Sequence, residues 1–250
     1  MTLSKATFET TTPVSVLGVM DAQSAQSTEA AGYVASYFNG YDVVRSQLGK
    51  TNEGLISPSE LSAGLRHVKE ESNFPVIVDA ESGFGNQLTT YFVTQDLERS
   101  GAAGLVINDQ IFPAHTAAAE TQLIEFSDFV AKLKAAKDAF DDSETLLFAE
   151  LDGVGAYGQT GLAKRVEYLK NNGLADVILI GHVSETDFEG VATLAQQQEI
   201  GLVINTVRDA YFDANQATAF KTIFYTGALS QARQQAEQQV AAQKAEKAKD

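Results

Sequence analysis

The sequence predicts a single parallel (β/α)8 barrel in the α/β class. Three features point to it: eight short β-branched and aliphatic runs, helical patterns between most of them, and near-continuous apolarity within each run. Alternating β and α elements argue for a parallel sheet. Strands covered on both faces read as unbroken apolar runs rather than as alternation. A barrel of this kind takes about 250 residues in one domain, and the chain has 250.

The strands are expected at 14–19, 34–38, 76–79, 104–108, 146–150, 177–180, 202–205 and 223–225. Ser57-Pro58-Ser59-Glu60 has the form of a capping box with proline at the first helical position, and the helix after it should reach about Ser72. Ser184 is the expected cap of a helix carrying Phe188, Val191 and Leu194. Gly101 and Gly173 each follow a helical stretch and read as C-terminal stops. Residues 229–250, rich in Ala, Gln, Lys and Glu, form a helical tail. That tail is either solvated or packed on a neighbouring subunit. The sequence contains no internal repeat and no linker that would split residues 1–250 into two domains.

Composition narrows the function classes. A net charge of −15 repels a phosphate backbone, so nucleic acid is an unsuitable partner. The chain has no cysteine, which excludes disulfides, thiolate metal sites and a cysteine nucleophile and fits a cytoplasmic protein. No run approaches the roughly 20 apolar residues of a membrane span, and residues 1–12 lack the apolar segment of a signal peptide.

Nearly every expected strand ends in a polar residue. These are Asp21, Asn39, Asp79 with Glu81, Asn108 with Asp109, Glu150 with Asp152, His182, Asn205 with Arg208, and Thr226. In a closed barrel such ends gather on one rim, where barrel enzymes hold their chemistry. Helix caps and turns also favour Asp and Asn after strands, so the alternative for any one residue is a local structural role.

Asp79 and Glu81 are two residues apart, which in a strand sends both carboxylates to one face. Two such groups repel unless a cation or shared proton intervenes. A hard cation such as Mg²⁺ relieves that repulsion while keeping several waters; the other reading is a pair of solvated loop acids. Gly83-Phe84-Gly85-Asn86 follows, and its N–H groups and helix start suit an anion or a plain strand-to-helix turn. His67, His115 and His182 lack metal-ligand spacing; His115 and His182 follow strands and can reach the rim.

Four stretches now resemble the phosphoenolpyruvate mutase/isocitrate lyase superfamily. They are Leu17-Gly18-Val19-Met20-Asp21-Ala22-Gln23-Ser24-Ala25, the run from Pro75 through Asp79-Ala80-Glu81-Ser82-Gly83-Phe84-Gly85 to Asn86, Gly101-Ala102-Ala103-Gly104 leading to Asn108-Asp109-Gln110, and Ala149-Glu150-Leu151-Asp152. The resemblance covers about residues 14–205 and implies Mg²⁺, a small α-oxo or enolate carboxylate ligand, and C–C or P–C bond chemistry next to a carbonyl. It also implies a homo-oligomer, dimer or tetramer, that exchanges its C-terminal helix.

Carried over residue by residue, the resemblance gives Asp79 and Glu81 as metal-holding groups. Asn39, Gly40 and Asn108 become donors to the enolate oxygen, and His115 the proton carrier. Asp21, Glu150, Asp152 and Asn205 fall at the substrate. The departures are as informative. The second acid of the metal pair is lengthened to Glu81. The family's acid after the second strand falls on Asn52, and its Glu before Asp-Gln falls on Asn108. The Arg that takes the substrate carboxylate falls on Glu150, and the lyases' cysteine loop reads Phe112-Pro113-Ala114-His115-Thr116-Ala117-Ala118. Two functions are therefore expected: an enzyme acting on a small oxo acid or phosphonate, or a repurposed, non-catalytic member binding a different small ligand such as an amine.

Overall fold

Eight parallel strands close on themselves in sequence order: β1 (Val14–Val19), β2 (Ser36–Phe38), β3 (Val76–Asp79), β4 (Gly104–Asn108), β5 (Leu146–Leu151), β6 (Val177–Ile180), β7 (Gly201–Asn205) and β8 (Thr222–Thr226), with β8 pairing back onto β1. The helices that cover them are α1 (Ala22–Ala30), α2 (Gly40–Leu48), α3 (Pro58–Glu70), α4 (Gln87–Arg99), α5 (Phe126–Ala139), α6 (Val154–Asn171), α7 (Phe188–Gln198) and α8 (Ala228–Lys247). This computed structural model describes residues 3–50, 54–70, 72–114, 121–213 and 215–247, with side chains to 243. The expected strands stand where the apolar runs are, with shifts of one or two residues at some ends. The largest is in β2, which starts at Ser36 rather than at residue 34.

Period-two geometry divides the strand side chains into two sets. Those facing outward, such as Phe38, Val78, Ile107, Ala149 and Ile204, are buried against the helices. Those facing inward form a second core of Val16, Tyr37, Ile77, Val106, Phe148, Leu179, Val203 and Phe224. Leu3 and Phe8 close the lower end of that core, and Phe8 meets Phe148 edge-on with ring centroids 5.3 Å apart.

The helix ends show their causes. Glu60 accepts the Ser57 N–H at 2.8 Å, as a capping box requires. Gly101 and Gly173 follow α4 and α6 with positive φ, a conformation that glycine takes without a Cβ clash. Ser184 is a correction. The helix starts at Phe188 with Asp187 before it, and Ser184 instead closes a preceding turn by accepting the Asp187 N–H at 3.1 Å.

α8 is anchored by its first turns on its own barrel. The Ser230 hydroxyl donates to the buried Asp42 carboxylate at 2.5 Å, and Arg233 pairs with Asp21 at 2.8 Å. Beyond Gln234 the described side chains are exposed.

Candidate functional site

One step up the barrel axis from the inward apolar core, the same alternation places the next side chains. Tyr37 gives way to Asn39, Ile77 to Asp79, Val106 to Asn108, Phe148 to Glu150, Val203 to Asn205 and Phe224 to Thr226. These six residues, with Asp152, His182 and Arg208 from the loops just above, line a small cavity whose floor is Tyr37 and Val203. A small-molecule pocket of this kind needs only a few converging polar groups on an apolar base.

Asp79 is buried. Its carboxylate accepts the Gly40 N–H at 3.1 Å and the Glu81 N–H at 2.8 Å. Burial pushes its pKa up to about 6 against those two bonds, with the charge of Asp152 adding to the rise. Glu81 does not reach the site by strand alternation. Its φ is 51°, because the strand has ended and the chain turns. Even so, its Oε1 comes to the Gly54 N–H at 2.9 Å, and both carboxylates gather over the Cα of Gly40, where a Cβ would collide with Glu81.

The asparagines divide by what already holds them. Asn39 lines the cavity but serves as the cap of α2: its oxygen accepts the Asp42 N–H, and its nitrogen donates to Tyr37 O and Asp42 Oδ2. Its amide nitrogen is engaged by Tyr37 O and Asp42, and the Gly40 N–H by Asp79. Asn108 accepts the Gln110 N–H at 3.1 Å. Asn205 accepts those of Val207 and Arg208 at 3.0 and 3.1 Å. Among the described residues, each of these two keeps its amide nitrogen uncommitted.

Arg208 grips Asp209 through two nitrogens, at 2.7 and 2.8 Å, and its third lies 3.2 Å from His182 Nε2. Burial pushes the His182 pKa down, which favours neutral imidazole at neutral pH. Gln110 Nε2 lies 3.4 Å from His182 Nε2 and donates to Asp152 Oδ2 at 2.6 Å, and the Asp152 N–H donates to Asp109 Oδ1 at 2.9 Å. Asp109 is buried behind the cavity, where burial and then the Asp152 charge push its pKa up to about 7.

Two expected features lie elsewhere. Asp21 caps α1 by accepting the Ser24 N–H at 2.8 Å and pairs with Arg233, outside the cavity lining. Gly83 and Gly85 form a strand-to-helix turn rather than an anion cradle: the Gly83 N–H donates to Ala80 O, and its carbonyl accepts from the Thr90 hydroxyl. His115 and Asn52 lie outside the described residues. Sequence reasoning missed Tyr37 and Val203, although counting two residues back from Asn39 and Asn205 finds both. It gave no role to Gln110 and missed Asp42, for which the sequence carries no signal.

A closed α/β barrel with a buried polar cavity at the carboxyl ends of its strands defines the class of barrel whose chemistry sits on that rim. The model of the phosphoenolpyruvate phosphomutase family matches residues 5–245, and the chain belongs to that family. It is 32% identical over 174 residues to an oxaloacetate decarboxylase of Bradyrhizobium diazoefficiens, a match covering 70% of this chain and 60% of that protein. The chain thus spans less than two thirds of that relative's length. Its fold matches the crystal structure of phosphoenolpyruvate phosphomutase from Streptomyces platensis subsp. rosaceus, with a TM-score of 0.86 and 21% identity over 98% of this chain and 86% of that one. It also matches phosphonopyruvate hydrolase in complex with oxalate and Mg²⁺, with a TM-score of 0.80 and 22% identity over 96% and 84%.

Proposed function

We propose that the protein is an enzyme acting on a small oxo acid or phosphonate, breaking or rearranging a C–C or P–C bond next to a carbonyl. The observation that carries this reading is the convergence of two uncommitted amide donors, Asn108 and Asn205, with Arg208 on a buried cavity that Asp79 also faces. Amide and guanidinium donors fixed in a buried site stabilise negative charge on a ligand oxygen better than water-exposed groups do. Each carbonyl oxygen tied down by loop N–H groups fixes the direction of its amide, so little reorganisation accompanies binding.

Mg²⁺ fits this donor set. Asp79 and Glu81 are the residues that would hold it, since their oxygens meet over Gly40 in a space a Cβ would fill and two adjacent buried carboxylates call for a counter-charge. Among the described residues, no three acidic or histidine side chains gather as direct ligands. An ion there therefore keeps much of its water, as magnesium readily does. When bound, it supplies positive charge that polarises the ligand's carbonyl. His182, neutral and facing the cavity, is the described group suited to take up or return a proton; His115 retains the same role as part of this proposal.

A homo-oligomer, dimer or tetramer, completes the reading. The exposed outer stretch of α8, including Val240, offers a surface for a second subunit.

The direct test is turnover of phosphonopyruvate and of oxaloacetate in the presence of Mg²⁺, followed by detection of pyruvate, the product of cleavage, and of phosphoenolpyruvate, the product of rearrangement. We expect activity on at least one, its loss with EDTA, and a drop of about 100-fold or more in kcat/KM for Asp79→Asn. Failure of the wild-type chain to turn over either compound sinks the reading.

A further inference from the structure

Lys132 stands where an apolar residue belongs. In α5, Phe129, Leu133 and Ala136 are buried and form the core-facing stripe of the helix. Lys132 lies within that stripe and is only 4% exposed. Burying an ammonium is costly unless it is hydrogen-bonded. Its Nζ donates to the Ser82 carbonyl at 2.7 Å.

Ser82 belongs to the turn that follows β3. Residues 80–84 are all buried, so their carbonyls need donors from the protein rather than from water. Ala80 O accepts the Gly83 N–H at 2.9 Å, Glu81 O accepts the Asn108 N–H at 2.9 Å, and Gly83 O accepts the Thr90 hydroxyl at 3.1 Å. Those donors come from the turn itself, from α4 and from the adjacent strand. The donor to Ser82 O is a side chain 50 residues further along the chain.

The turn also holds an unfavourable backbone. Glu81 and Phe84 have φ of 51° and 56°, the left-handed region that residues with a Cβ avoid. Such conformations persist only where their surroundings fix them. The conformation of Glu81 aims its carboxylate. Oε1 accepts the Gly54 N–H at 2.9 Å and gathers with Asp79 Oδ2 over the Cα of Gly40. We propose that Lys132 is a positioning residue for this pair: its ammonium pins the turn at Ser82 and so keeps the Glu81 carboxylate beside Asp79. Lys132 lies outside the cavity lining and acts through the backbone. The inference rests on the reading of Asp79 and Glu81 as the residues that would hold Mg²⁺.

The test is titration of Mg²⁺ into the full chain by isothermal calorimetry, counting the heat that Asp79→Asn removes. Amide hydrogen exchange of residues 80–86 is followed in parallel. Lys132→Met, which keeps most of the stem and removes the donor, should weaken Mg²⁺ about tenfold and speed exchange in the turn. Leu133→Ala, a cavity on the same helix face, should lower stability and change neither reading in folded protein. Lys132→Arg keeps N–H donors on a long stem and should bind Mg²⁺ within about threefold of the wild type. Unchanged affinity in Lys132→Met, an equal loss in Leu133→Ala, or Lys132→Arg as weak as Lys132→Met overturns the proposal. Where Lys132→Met does not fold, Lys132→Gln, whose amide is too short to reach the carbonyl, is read by the same criteria. A wild type without such heat removes the metal reading, and exchange then decides the role of Lys132 by itself. Faster exchange at 80–86 in Lys132→Met and not in Leu133→Ala upholds the pinned turn; unchanged exchange overturns it.

Discussion

The two ends of the barrel axis use the same strand geometry for opposite purposes. At the lower end, the inward positions hold Val16, Phe148, Leu179 and Phe224, capped by Phe8 and Leu3. One step up, the same alternation carries Asn39, Asp79, Asn108, Glu150, Asn205 and Thr226, all buried. The lower end gains free energy from the apolar area it removes from water. The upper end gives some of that up, since buried acids cost stability unless paired or bonded. The contrast teaches that stability and ligand chemistry are separated by about one layer of side chains, and that a substitution should betray its layer by what it changes.

The largest expected effect is at the lower end. Phe148→Ala leaves a cavity between Phe8 and Phe224 and should cost roughly 3–5 kcal/mol of stability. At a temperature where the variant stays folded, its affinity for site ligands should remain near that of the wild type. Denaturant unfolding with ligand titration checks both, and a lost affinity in folded protein breaks the separation.

An effect of intermediate size comes from Asp109 behind the upper layer. Its folded pKa of about 7 lies above the usual carboxylate range. The folded state therefore holds a proton that the unfolded chain releases. Its contribution is fully present below about pH 4 and is lost as pH rises through about 7. Asp109→Asn should flatten this part of the pH–stability curve and raise Tm at pH 8 by more than at pH 5. An equal shift at both pH values contradicts the assignment.

The smallest effect sharpens the comparison at its edge. Asp21 follows a strand end yet caps α1 and pairs with Arg233, both side chains about one third exposed. Asp21→Ala should cost about 1 kcal/mol, mostly from the lost cap, and leave KM unchanged. A raised KM places Asp21 in the site after all.

Much of this was legible in the sequence. The apolar runs locate all eight strands, because burial on both faces leaves few polar residues within them, such as Ser15 and Ser36, to blur the signal. The polar residue that ends a run is the next inward position, so Asn39, Asp79, Asn108, Glu150 and Asn205 could be placed on one rim from spacing alone. Glu81 and Asn39 show where spacing fails. Strand alternation stops with the strand, and Glu81 sits at positive φ just beyond it. Asn39 reads as a ligand donor from spacing, and Asp42, three residues on, engages its amide nitrogen.

The sequence by itself determined the barrel, its strand order and the identity of the residues on its upper rim, because side-chain alternation and apolar burial are properties of the local chain. Only the tertiary structure decided which of those residues remain open to a ligand. That depends on contacts between strands distant in sequence: Gly40 with Asp79, Gln110 with Asp152, and the bare Cα of Gly181 beside two carboxylates of β5 and its loop. A hydrogen-bonding group joins only as many partners as it has donors and acceptors, and the chain must fold before those partners are known.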